Sequence, residues 1–122
     1  MKLYCKKCNY LLVEGLVKAI NKEVIYADEY DLIPIGKYIN NNNNIWNFEN
    51  LGITYLLNVN NINLKNHYNH TKMQGCCGPS GVDGLNQLCP KCKQEVGVLV
   101  ADCYTPYFIG IDKNKVSERP VW

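Results

Sequence analysis

The apolar runs of this chain are short and rich in β-branched residues, and they alternate with stretches of Asn, Gly, Lys and Pro. Residues 53–59 (ITYLLNV) lie between Gly52 and the pair Asn60-Asn61, which is the signature of a buried strand. Residues 96–101 (VGVLVA) are nearly continuous in apolar character, and residues 107–111 (YFIGI) supply a further strand that Gly110 is expected to interrupt. Nearer the start, Pro34 and Gly36 punctuate the chain ahead of a short strand at 37–39. The opening LYCKKCNYLLV reads as strand, tight turn, strand. Residues 40–44 (NNNNN) and 63–74 (NLKNHYNHTKMQ) are polar and without period, and are predicted as surface loops. No segment joins capping residues to a sustained 3.6-residue period. Only 15–23 could be helical on propensity, so the pattern predicts a mainly β fold with a small α+β variant as the alternative.

Length and composition narrow this picture. A chain of 122 residues supports a single domain, 1–122, with a thin core, and 47% hydrophobic with 20% charged residues predicts that it folds. The formal net charge of +2 is too small to attract a polyanion by field alone. No window approaches the ~20 apolar residues of a membrane span. The opening run has Cys5 and Cys8 where a secretory signal would carry an apolar stretch, so a cytoplasmic protein is expected. In that compartment seven cysteines point to metal or redox chemistry rather than to disulfides, and the odd count agrees.

Two C-x-x-C pairs, Cys5/Cys8 and Cys89/Cys92, carry the chemistry. A two-residue spacer lets both thiolates of one turn face a single point, and two such turns complete the tetrahedral sulfur set that zinc prefers. Pro90 stiffens the second turn, and Asn9 follows the first where a positive φ is common and Asn is tolerated. Lys93, at the equivalent place, suits that conformation less well. About eighty residues separate the pairs, more than a compact zinc ribbon has. The expected architecture is therefore a zinc-ribbon-like knuckle pair, near 5–8 and 89–92, with a large β-rich insertion over about 21–75. Redox pairs, iron or disulfides are the alternatives for these four thiols.

Other polar residues carry weaker signals. Cys76 and Cys77 lie in GCCGPSGVDG, and adjacent thiols do not easily reach one ion. A buried thiol, a redox pair, or a second metal site completed by Cys103, His67 or His70 all remain open there. His67 and His70 read as solvated loop residues. Asp83 is expected to serve the turn before Gly84 with its side chain, and Asp102 to accept a hydrogen bond from a knuckle amide. Lys6, Lys7, Lys91 and Lys93 flank the knuckles and would either touch nucleic acid or offset thiolate charge. No Ser-His-Asp, Cys-His or phosphate-binding motif can be assembled, so no enzyme is predicted and no catalytic residue is named.

The string GCCGPSGVDGLNQLCPKC, followed by VGVLVADC and YFIGIDKNKV, resembles the C-terminal signature of a family of small uncharacterised bacterial proteins that open with a C-x-x-C knuckle. The likeness covers 75–116 and the Cys5/Cys8 pair, with a fainter match at 36–39. Asn9 and Lys93 replace the knuckle glycines of that pattern, and no activity comes with it. The expected function is a zinc-binding protein-interaction module, such as an immunity or accessory protein, with Tyr side chains, Trp46 and Trp122 as contact residues. The alternatives are a nucleic-acid-binding zinc ribbon and a thiol redox protein using Cys76/Cys77.

Overall fold

A computed structural model describes residues 1–41 and 51–120. Ten strands succeed one another in it: β1 (Leu3–Cys5), β2 (Leu11–Val13), β3 (Val17–Lys18), β4 (Lys37–Asn40), β5 (Ile53–Leu57), β6 (Lys65–Asn66), β7 (Gln87–Leu88), β8 (Glu95–Val100), β9 (Phe108–Asp112) and β10 (Val116–Ser117). Single 3-10 turns at Asn21–Glu23 and His70–Met73 are the helical content of the described residues, so the fold is mainly β. The pentad Asn40 to Asn44 is described only as far as Asn41; its remainder, Trp46 and Trp122 lie outside the described residues.

The strands form two sheets. One is small, in the order β10-β1-β2, and the other has seven strands in the order β3-β4-β5-β9-β8-β7-β6. All pairings are antiparallel except that of β3 with β4. The centre of the large sheet is β5-β9-β8, with Leu56 opposite Gly110 and Gly110 opposite Val98. Strands from the cysteine-free middle, β4 and β5, are thus hydrogen-bonded into the same sheet as β8 and β9, which follow the second knuckle. The segment read as an insertion supplies three of the seven strands of the principal sheet, β4, β5 and β6.

Both faces of the sheet centre are covered, and every residue of β9 is buried as a result. Ile109 and Ile111 join Leu57, Val96, Leu3, Leu12, Val13, Leu16 and Val116 in a cluster between the two sheets. Phe108 points into a second cluster with Leu32, Ile33, Leu56, Val98 and Val100, where the segment bearing Leu32 and Ile33 covers the sheet. Full burial of each such side chain contributes roughly 1.5–3 kcal/mol. The expected break at Gly110 is not found. The strand runs through it because a Cβ there would lie 2.7 Å from Ile53 Cγ2 and 3.2 Å from Val98 Cγ1, so its neighbours fill the space a side chain would take.

The 15–23 segment is β3 followed by one 3-10 turn rather than a helix. Gly15 sits at φ +75, and Val17 N–H donates to the carbonyl of Gly36, drawing the chain alongside β4. The loop predicted over 63–74 contains β6 and the second 3-10 turn, which Asn69 caps by accepting from Thr71 N–H. Two buried asparagines hold loops to the core. Asn58 Nδ2 donates to Ile33 O at 2.8 Å, and Asn86 exchanges bonds of 2.6 and 3.1 Å with the N–H and C=O of Leu99. No buried side-chain N or O among the described residues lacks a partner.

Candidate metal centre

Each C-x-x-C pair closes a β-hairpin, and the two turns share one hydrogen-bond pattern. At the first, Cys5 N–H donates to Tyr10 O at 2.9 Å and Asn9 N–H to Cys5 O at 2.8 Å. At the second, Cys89 N–H donates to Gln94 O at 2.9 Å and Lys93 N–H to Cys89 O at 2.9 Å. Both turns end on a left-handed residue, Asn9 at φ 62 and Lys93 at φ 66. Lys93 therefore takes the same conformation as Asn9 despite its long side chain. Its Nζ donates to Pro90 O at 3.1 Å, across the turn it closes.

The hairpins meet through their sulfurs. Cys5 Sγ lies 3.5 Å from Cys92 Sγ, Cys8 Sγ lies 3.7 Å from Cys89 Sγ, and all four sulfurs fall within 4.8 Å of one another. Tetrahedral coordination at a metal–sulfur bond of about 2.3 Å places the sulfurs ~3.8 Å apart, so the four thiols can hold one metal ion. Cys5 and Cys89 are buried and Cys8 and Cys92 half-buried. Burial pushes the Cys5 thiol up to about 12, although the N–H groups of Cys8 and Lys7 point at it and oppose the shift. Burial likewise raises Cys89 against the N–H groups of Cys92 and Lys91. At Cys92 burial also acts upward, but the Gln94 N–H and the thiols of Cys5, Cys8 and Cys89 outweigh it and the net direction is down. Amides aimed at sulfur favour thiolate.

Gln94 ties the centre to the small sheet. Its Nε2 donates to Lys115 O at 3.2 Å and lies 3.9 Å from Cys5 Sγ, while Lys6 N–H reaches the same carbonyl at 3.0 Å. Nothing in the pattern of residues marks this role, since a Gln two places after a cysteine is not distinctive.

A second group of sulfurs, Cys76, Cys77 and Cys103, also converges within 4.8 Å at the surface. Cys77 is disulfide-bonded to Cys103, not to its neighbour Cys76, and Cys76 is a free exposed thiol. Asp102 belongs to this group and not to a knuckle. Its carboxylate accepts from the N–H groups of Cys77 and Cys103, each at 2.8 Å, and of Cys76 at 3.2 Å. These bonds, that from Cys77 foremost, hold the Asp102 carboxyl below the usual carboxylate range.

The histidines take no part in either group. His67 is not solvated: its Nε2 lies 3.0 Å from a Glu95 carboxylate oxygen and its Nδ1 accepts from Asn69 N–H. His70 is exposed in its 3-10 turn, as predicted. Asp83 contributes its backbone carbonyl to Lys72 Nζ, and the turn at Gly84 is closed by Gly84 N–H to Gly81 O. Lys6, Lys7, Lys91 and Lys93 are all exposed, and they lie in or beside the two turns whose sulfurs meet. No helix among the described residues is long and apolar enough to cross a membrane.

No family model, curated protein or solved structure matches the chain, so the resemblance over 75–116 rests on its motifs alone.

Proposed function

We propose that the four-sulfur centre holds one zinc ion that staples a small protein-interaction module, acting in an immunity or accessory role. The observation that carries this reading is the convergence of Cys5, Cys8, Cys89 and Cys92 within 4.8 Å from two hairpins. Four thiolates satisfy a tetrahedral ion completely, leaving no position for water or substrate, which makes the metal structural rather than catalytic. The ion also supplies the positive charge that lets the buried Cys5 and Cys89 be thiolates. Contact with a partner falls to the exposed apolar residues of one stretch, among them Ile25, Tyr26, Tyr30 and Ile35, each more than half exposed.

One observation favours a second reading, a nucleic-acid-binding ribbon: Lys6, Lys7, Lys91 and Lys93 are all exposed on or beside the two turns whose sulfurs converge. Charge decides between them. A zinc tetrathiolate carries a charge of about −2, which cancels the chain's formal +2. The lysines then screen the centre more than they project a field, and the protein-binding reading is preferred.

The test joins metal analysis to binding. Freshly purified protein should contain one zinc per chain, and Cys5→Ser should lose it. Oligonucleotides, single- and double-stranded, should bind weakly and with shallow salt dependence. A nucleic-acid binder would instead lose roughly a thousandfold or more in affinity between low and moderate salt. Steep dependence that disappears on replacing Lys6, Lys7, Lys91 and Lys93 would establish the second reading, and full zinc content in Cys5→Ser would sink the metal assignment.

A further inference from the structure

Adjacent cysteines ordinarily direct their side chains apart, yet Cys76 and Cys77 place both sulfurs beside that of Cys103. The turn that contains them explains how. A Cβ on Gly75 would collide with the carbonyl of Gly78, and one on Gly78 with the carbonyl of Ala101, so the loop folds back on itself and onto the end of β8 only because both positions are glycine. Ala101 N–H donates to Pro79 O at 2.9 Å, and Asp102 N–H to Thr105 Oγ1 at 3.0 Å, fixing the second half of the site. The Asp102 carboxylate then gathers the backbone N–H of all three cysteines. None of these bonds involves sulfur. They tie the backbone of all three cysteines to Asp102 in addition to the Cys77–Cys103 bond.

We propose that the reduced triad of Cys76, Cys77 and Cys103 is a solvent-open binding site for a thiophilic d10 metal ion, preorganised by Asp102 and shut when Cys77 and Cys103 form their disulfide. Three thiolates with an exposed fourth position distinguish it from the closed centre of the knuckles, because water or an external ligand completes the coordination. Asp102 is not a ligand, since its oxygens are engaged by amides. Its negative charge and its grip on the loop both favour a cation at the sulfurs.

Opening the site takes two electrons. Two molecules of a low-molecular-weight thiol are oxidised to their disulfide as the Cys77–Cys103 bond is cleaved to two thiols. An incoming dication then forms three sulfur–metal bonds, and the three thiol protons leave to solvent.

Cadmium is the probe, added to full-length protein whose knuckle centre is already loaded, and the complex is weighed by native mass spectrometry. Oxidised protein should take no further ion. Protein reduced with a phosphine should gain the mass of one ion, and Cys76→Ser and Cys103→Ser should lose that gain while keeping the knuckle metal. Peptide mapping of alkylated wild-type protein gives a readout that needs no variant: cadmium should shield Cys76, Cys77 and Cys103 in the reduced form only. If reduced wild type gains no ion and its three thiols alkylate at the same rate with and without cadmium, the triad is a disulfide or thiol–disulfide exchange site and the proposal is overturned. Cleavage before Asp83 and Asp102 puts Cys89 and Cys92 in a peptide apart from Cys76, Cys77 and Cys103, so failure of the triad and failure of the stapling centre read separately.

Discussion

Lys93 is the clearest conflict between a residue's preference and the conformation it holds. At φ 66 its Cβ crowds the backbone, a cost of roughly 1–2 kcal/mol for an L-residue, which Asn at the equivalent position partly escapes. Lys93→Gly removes that strain and adds back ~0.5–1 kcal/mol of unfolded-state entropy. The balance is an expected gain of about 0.5–1 kcal/mol in the metal-bound protein, against a smaller gain for Asn9→Gly. Urea unfolding midpoints of the two variants check the order. A loss of stability in Lys93→Gly would mean that the bond from its Nζ to Pro90 O outweighs the backbone term. At this scale the four cysteines of the knuckles were legible as a group that could hold a metal ion, because C-x-x-C spacing fixes local geometry. Asp102, Gln94 and Asn86 were not, since each acts on groups distant in sequence: Asp102 on Cys76 and Cys77, Gln94 on Lys115, Asn86 on Leu99.

Among the elements, β9 tests how far pattern reading reaches. Its apolar run predicted a strand correctly, and its one error was the break assigned to Gly110. Glycine weakens an isolated strand, but within a sheet buried on both faces it can be the residue that lets neighbours approach. Gly110 lies opposite Leu56 on one side and Val98 on the other, and Gly97 makes the matching approach on β8, where a Cβ would lie 2.7 Å from Gly110 O. Gly110→Ala should therefore destabilise by ~1–3 kcal/mol through overpacking, with no gain from better strand propensity. The midpoint of thermal unfolding followed by circular dichroism measures it. An unchanged or raised midpoint would show that Ile53 and Val98 can give way. The short strands β3, β6 and β7, two residues each, were missed for a related reason: a two-residue pairing is decided by the strand beside it and leaves no period in the sequence.

For the whole molecule, the question is what the centre at Cys5, Cys8, Cys89 and Cys92 holds together. The small sheet has strands of three, three and two residues, too short to stand alone. It is fixed by the apolar cluster it shares with β5, β8 and β9, by the continuation of the chain from β9 into β10, and by the sulfur centre. The large sheet has a second cluster, around Phe108, Leu32 and Val98, on which the centre has no direct hold. Stability should therefore be uneven once the proposed ion is taken away, because its binding free energy leaves the small sheet first. On chelation, amides of β1, β2 and β10 should lose hydrogen-exchange protection while those of β8 and β9 retain theirs. Exchange followed by mass spectrometry, at a denaturant concentration well below the unfolding midpoint, resolves the two groups. Equal loss in both sheets would mean that the thin core cannot outlast its staple. Unchanged protection in β1 and β2 would mean that apolar burial alone holds the small sheet, and that the metal is not structural.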